Sequence, residues 1–113
     1  MSTVNIYLKF ENGVLNLRDD SNNPNDIPVT PDVTTNVGKS NAVFWKKDDP
    51  GSGITSIDNV LKYPTSTDLF VTDPHKPTGQ TWWQGVIGPN ASGTESYSIT
   101  IDGVQHDPKL QIH

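Results

Sequence analysis

The residues with the clearest capacity for chemistry are the adjacent tryptophans Trp82 and Trp83, which Gln80 and Gln84 flank. Adjacent side chains on a β-strand point to opposite faces, so we expect one indole in the core and the other on the outer face. An exposed indole beside amide side chains stacks on a sugar ring or anchors a partner protein. The alternative is that the outer indole packs beneath the proline-rich segment 73–79.

Oxygen-bearing side chains are concentrated in residues 19–26, and calcium prefers such ligands. The candidate calcium ligands are Asp19, Asp20, Asn22 and Asp26. Their spacing differs from that of an EF-hand loop, and Asp and Asn also favour turns without any metal. A calcium site is therefore the weaker interpretation, and we predict no cofactor and no metal.

The three histidines, His75, His106 and His113, share no spacing that would bring their rings together on one strand or helix. A transition-metal site usually needs three or more converging ligands, so the sequence does not favour one. His75 lies near the tryptophans in sequence and is grouped with them as a candidate ligand-binding residue. No motif of a nucleophile, a phosphate-binding loop or a metalloprotease occurs, so we predict that the protein is not an enzyme.

The charge balance narrows the classes of partner. Thirteen acidic and eight basic residues give a net charge of −5, and the only basic pair is Lys46-Lys47. Nucleic-acid binding depends on neutralising phosphates, so we do not expect it. The apolar runs are too short to span a bilayer, which predicts no membrane insertion. The chain has no cysteine and opens without the pattern of a secretory signal, which favours the cytoplasm.

These residues must be positioned by β-strands. A chain of 113 residues is long enough for one domain, residues 1–113. In the first strand, apolar residues alternate with polar ones up to Phe10, and Asn12-Gly13 then predicts a type I′ turn. With that turn, Phe10 faces Leu15 and the apolar side chains of both strands lie on one side.

Further short strands are predicted with turn signals about every ten residues. Loops are predicted for segments 19–32 and 73–79. Residues 54–63 are predicted to form short strands or an irregular helical turn. Pro108 either confines the last strand to an edge or interrupts it. The strands are predicted at 33–37, 42–46, 68–71, 81–87, 97–101 and from 104 onwards. The predicted fold is an all-β antiparallel β-sandwich, Ig-like, with about seven to nine short strands.

Two segments resemble parts of small bacterial Ig-like or cupredoxin-like β-sandwich domains. The first is Val43-Phe44-Trp45-Lys46 after a Gly-containing turn, and the second is the closing hairpin formed by residues 97–101 and 107–112. The resemblance implies the architecture and no activity. The chain lacks the cysteine and the second methionine that a cupredoxin copper site would need, and it lacks the paired cysteines of many Ig domains.

Two classes of function stay open. The leading hypothesis is a non-catalytic binding or assembly module that contacts a protein partner, or a second copy of itself, through a sheet face, an edge strand or its end loops. The alternative is a lectin-like domain that binds a glycan with Trp82 or Trp83 and nearby Asn and Asp side chains.

Overall fold

The computed structural model describes residues 2–113, and this part of the chain contains eleven β-strands and no helix. The prediction of an all-β fold is confirmed. The strands are β1 Thr3–Glu11, β2 Val14–Asp19, β3 Ile27–Pro28, β4 Thr34–Val37, β5 Ala42–Lys47, β6 Ile57–Lys62, β7 Phe70–His75, β8 Trp83–Ile87, β9 Thr94–Ile101, β10 Val104–His106 and β11 Lys109–Ile112.

The β1–β2 hairpin has the predicted register. Phe10 pairs with Leu15 and Leu8 pairs with Leu17, so the apolar side chains of both strands face the core. The turn residues Asn12 and Gly13 have φ angles of 54° and 78°. Positive φ at both central residues defines a type I′ turn, whose twist matches that of the strands it joins.

Six strands form the first sheet, in the order β3-β2-β1-β5-β8-β7. β1 and β5 pair in parallel, whereas the neighbouring pairs β1–β2 and β5–β8 are antiparallel. The prediction of a purely antiparallel fold is therefore wrong. The chain between β2 and β5 crosses to the other sheet to form β4, so β5 enters beside β1 in the same direction.

The second sheet has five strands and is built around β9. β6 pairs with one side of β9, and β10 and β11 follow one another along its other side. Pro108 separates β10 from β11, as predicted for an interrupted strand, and its carbonyl accepts a hydrogen bond from the Tyr97 amide at 3.1 Å. β4 pairs with β11 in parallel, which is the second exception to antiparallel pairing.

Two other details differ from the predictions. Eleven strands replace the predicted seven to nine, in part because β3 has only two residues and Pro108 divides one strand into two. The predicted strand 68–71 instead begins at Phe70 and continues to His75. Two register irregularities between β7 and β8 accommodate Pro74, which cannot donate a ladder hydrogen bond.

The two sheets face each other across one apolar core. Trp45 on β5 and Tyr97 on β9 are fully buried at its centre, and the Trp45 Nε1–H donates to the Tyr97 hydroxyl at 3.0 Å. The Phe70 ring packs edge-on against Trp45, with the ring centres 6.2 Å apart. Burial raises the pKa of Tyr97, which stays a neutral phenol able to accept this bond. The pair fixes the relative position of the two sheets.

Candidate functional site

The two tryptophans lie on opposite faces of the six-stranded sheet. Trp83 pairs with Trp45, packs against the core, and donates its Nε1–H to the Ile57 carbonyl at 2.8 Å. Trp82, one residue before β8, is half-buried and donates its Nε1–H to the Gln84 side-chain oxygen at 3.3 Å. The two neighbouring indoles therefore have different roles, and Trp82 is the one available at the surface.

The outer face of this sheet brings together residues from five strands. Phe44 pairs with Asn5 on one side and with Gln84 on the other, and Gln84 also pairs with His75. The neighbouring row contains Arg18, Tyr7 and Lys46, because Tyr7 pairs with both of the other two residues. The β5–β8 pairing ends at Trp45 and Trp83, so Lys46 and Trp82 each follow directly on from the last pair. Of the predicted binding residues, Trp82, Gln84 and His75 thus share one surface, whereas Gln80 is exposed in the loop that precedes β8.

Two cations cover the aromatic rings of this surface. The Arg18 guanidinium carbon lies 4.4 Å from the centre of the Tyr7 ring. The Lys46 ammonium lies 5.9 Å from the Tyr7 centre and 5.4 Å from the Phe44 centre. These distances fall within the range of cation–π attraction, which holds both side chains over the sheet.

The other two cations of the face, Lys9 and Arg18, form ion pairs with carboxylates. Lys9 contacts Asp26 at 2.9 Å, and Arg18 contacts Asp48 at 3.0 Å and Asp26 at 3.9 Å. The Asp48 hydrogen bond raises the pKa of Arg18, so the guanidinium stays charged. Lys46 differs from them, because no carboxylate of the described residues 2–113 lies within 4.0 Å of its ammonium.

The acidic segment 19–26 has a structural use in this fold. Asp19 is buried, and its Oδ1 accepts hydrogen bonds from the backbone amides of residues 21, 22 and 23 at 2.9–3.0 Å. Its Oδ2 accepts from the Asn23 side chain and the Thr35 hydroxyl, both at 2.7 Å. Burial opposes ionisation most strongly as a single effect, but the hydrogen bonds together exceed it and lower the pKa of Asp19.

The other three calcium candidates point to different partners. Asp20 accepts hydrogen bonds from the backbone and side-chain amides of Asn5, and Asp26 pairs with Lys9. Asn22 bonds to the free edge of β4, donating to the Thr34 carbonyl and accepting from the Asn36 amide. Residues 2–113 contain no group of three or more His, Cys, Asp or Glu side chains that could hold a metal ion. The structure therefore does not bring the four candidates together as a ligand set.

A second surface lies at the end of the molecule where two tight turns meet. The turns Asn12-Gly13 and Asp102-Gly103 are each followed by an exposed valine, Val14 with 48% and Val104 with 57% of its surface accessible. Both valines line one groove, which we call the hairpin-end groove. Its lining residues are Phe10, Gly13, Val14, Leu15, Val29, Val104 and His106.

His106 is the one polar side chain in the lining of the hairpin-end groove. Its Nε2 atom is buried and has no hydrogen-bond partner within residues 2–113. Burial lowers the pKa of His106, although the nearby Asp107 opposes this, so the ring is neutral at physiological pH. A neutral imidazole nitrogen left unpaired in an apolar surrounding is costly unless a ligand supplies a partner.

The free edges of both sheets are obstructed. β3 contains Pro28, and β7 is irregular and contains Pro74, so neither edge of the six-stranded sheet is a regular template. Side chains from residues 22 and 23 bond to the edge of β4. β6 lies beside β7 and carries a bulge. The carbonyl of Ile57, its first residue, already accepts a hydrogen bond from the Trp83 indole. Addition of a partner strand is therefore disfavoured at these edges; the remaining edge strand, β10, has only three residues and pairs with β9 alone.

No family model and no curated protein matches this sequence. Among residues 2–113 there is also no helix long and apolar enough to cross a membrane. Function is therefore inferred from two surfaces, the outer face of the six-stranded sheet and the hairpin-end groove.

Sequence reasoning missed Tyr7, Phe44 and Lys46 as members of the Trp82 surface. Their positions depend on the parallel β1–β5 pairing, for which no local turn signal exists. It also missed the hairpin-end groove. The available signal was a valine directly after each of two type I′ turns, where an exposed apolar side chain is unusual.

Proposed function

We propose that the protein is a non-catalytic binding module that docks a segment of a partner protein in the hairpin-end groove. The observation that carries the proposal is the pair of exposed valines, Val14 and Val104, which line one apolar groove together with His106. Exposed contiguous apolar surface marks protein-binding sites. We propose an Ig-like sandwich as the scaffold. The two facing sheets and the buried Trp45 on β5 support it.

The chemistry of the groove specifies its occupant. The apolar lining fits an aliphatic side chain, and burying one contributes about 1.5–3 kcal/mol. His106 lines the same groove, and a turn of its ring lets the Nε2 atom, which is buried in the free protein, pair with a polar group of the partner's backbone. An extended segment with a central Leu or Ile offers both groups.

Two properties favour a partner segment over a second copy of the chain. A stable interface between copies buries about 800 Å² on each side, from about 20–30 residues, whereas seven residues line this groove. The net charge of −5 also opposes self-association. The obstructed edges leave little room for pairing through an added strand.

The test uses short extended peptides that share one backbone and carry Leu, Ile, Val or Ser at the central position. We expect the Leu and Ile peptides to shift the methyl signals of Val14 and Val104 and the ring signals of His106 in an NMR titration. Replacing both valines by threonine, which keeps the shape and strand preference, should weaken binding by about tenfold, or 1.4 kcal/mol.

The matched control is Val71→Thr, because Val71 is also exposed, at 64%, but lies on β7 away from the groove. Equal binding of the Ser peptide, or shifts outside the groove only, would contradict the proposal. Sedimentation tests the other occupant: concentration-dependent dimerisation that the Val14→Thr/Val104→Thr variant abolishes would show that the groove joins two copies.

A further inference from the structure

We propose that the outer face of the six-stranded sheet is a second binding site, which takes a sugar chain carrying carboxylate groups, such as an oligomer of a uronic acid. Lys46, held over the Phe44 ring, would bind the carboxylate, and the Trp82 ring would carry a sugar ring. This site is separate from the hairpin-end groove, and neither proposal depends on the other.

The charge of the ligand follows from Lys46. The other two cations of the face, Lys9 and Arg18, are each within 3.0 Å of a carboxylate. Lys46 has no such partner in the described part of the chain, yet its ammonium is held over two rings and is half-buried. A cation that is already positioned and has no acidic neighbour favours an anionic group on the ligand.

The arrangement of the rings favours a sugar chain. Phe44 pairs with Gln84, so Trp82, two residues earlier on the neighbouring strand, is the diagonal neighbour of Phe44, and such positions lie about 7–8 Å apart. Both side chains are half-buried on the same face, so Trp82 offers a platform on which a sugar ring can stack, near the Lys46 ammonium that the Phe44 ring holds.

Amide groups stand beside the rings. Gln84 uses its side-chain oxygen to accept from Trp82, which leaves its NH₂ group free to donate to a sugar hydroxyl. Asn5 uses its NH₂ group on Asp20, which leaves its side-chain oxygen as an acceptor. A donor and an acceptor on either side of Phe44 match hydroxyl groups, each of which both donates and accepts.

An acidic peptide is the competing ligand of the same charge. A peptide gains much of its affinity by adding its backbone to a sheet edge or by placing side chains in a cleft. Apart from Trp82, which directly precedes β8, the residues that form this site lie on the interior strands β1, β5 and β8, whose backbone groups are already paired within the sheet. The face therefore favours the sugar.

The experiment compares three hexamers by NMR and calorimetry: oligogalacturonate, the neutral maltohexaose and hexaglutamate. We expect oligogalacturonate to shift the Trp82 indole N–H signal and to bind at least about tenfold more tightly than either of the others. Its affinity should fall as salt is added, because one contact is an ion pair.

Variants assign the contacts. Lys46→Gln should weaken oligogalacturonate binding by about tenfold, whereas Lys39→Gln, at an exposed turn lysine, should leave it unchanged. Trp82→Ala should weaken binding without changing the salt dependence. Unaltered backbone NMR spectra would show that each variant is folded.

Three results would overturn the proposal. Equal affinity for maltohexaose would show that Lys46 does not select charge. Equal or tighter binding of hexaglutamate would assign the face to an acidic peptide. Absence of binding by all three hexamers at millimolar concentration would show that the face is not a site of this kind.

Discussion

Replacement of Asp19 by asparagine should remove a large part of the stability of the protein, although the two side chains have the same shape. Asp19 accepts five hydrogen bonds, three through Oδ1 and two through Oδ2. In Asp19→Asn, an NH₂ group replaces Oδ2 and faces the NH₂ group of Asn23. The Thr35 hydroxyl can rotate to accept from it, but the Asn23 amide group could present its oxygen only by giving up its own hydrogen bond to the Thr34 carbonyl.

The magnitude follows from these contacts. Hydrogen bonds to a charged group contribute about 1.5–3 kcal/mol each, and a buried donor left without an acceptor costs about 1–3 kcal/mol. The hydrogen bond from the Asn23 side chain is lost, and the three backbone amides then bond to a neutral acceptor and not to a charged one. We therefore expect a decrease of about 3 kcal/mol in the free energy of unfolding. Asp20→Asn is the control, because Asp20 is exposed and bonds only to Asn5. It should cost less than about 1 kcal/mol.

The pH dependence gives a second, independent readout. The pKa of Asp19 is lower in the folded protein than in the unfolded chain, where it is about 3.9. Its stabilising contribution is therefore complete above that value and is lost as the pH falls through the folded-state pKa. Urea unfolding of both proteins at about pH 7 and pH 3 should show a smaller difference at the lower pH. A difference below about 0.5 kcal/mol at neutral pH, or one independent of pH, would refute this reasoning.

Two further substitutions test the core and a close backbone contact. Tyr97→Phe leaves the buried indole N–H of Trp45 without its acceptor, so the free energy of unfolding should fall by about 1–3 kcal/mol. Denaturant unfolding followed by tryptophan fluorescence measures this change. An unchanged midpoint would contradict the role of this hydrogen bond. Gly88→Ala places a Cβ against the backbone carbonyl of Asp68, which cannot move freely, and should lower the melting temperature by several degrees. Gly38→Ala is its control, because there the new atom meets only the end of the Asn41 side chain.

Local signals were sufficient for the hairpins and for the strand class. The Asn12-Gly13 turn predicted the β1–β2 register, which the structure confirms. Local signals could not predict the two parallel pairs, β1–β5 and β4–β11, because each pair joins segments far apart in sequence. The binding surfaces depend on such pairings, so only Trp82, Gln84 and His75 could be grouped from the sequence.

Asp19 illustrates why the acidic segment was ambiguous. A cluster of Asp and Asn residues suits a calcium loop and a turn equally well, and composition alone does not distinguish them. The distinction comes from Thr35, a residue of the other sheet, whose hydroxyl completes the set of donors around the carboxylate. No local pattern indicates that β2 ends beside β4.

The position of β11 in the second sheet has a consequence for how the molecule acquires its structure. β4 has its sheet partner in β11 alone, so the segment around Thr35 must wait for the residues around Leu110 before its ladder can form. Closing so long a loop is entropically expensive, and topologies dominated by distant contacts fold on the millisecond-to-second timescale. A ribosome would have to release the chain as far as Ile112 before this sheet could be completed. Until then, Thr35 and Val37, the buried residues of β4, would lack their paired strand and stay accessible to water and to other chains.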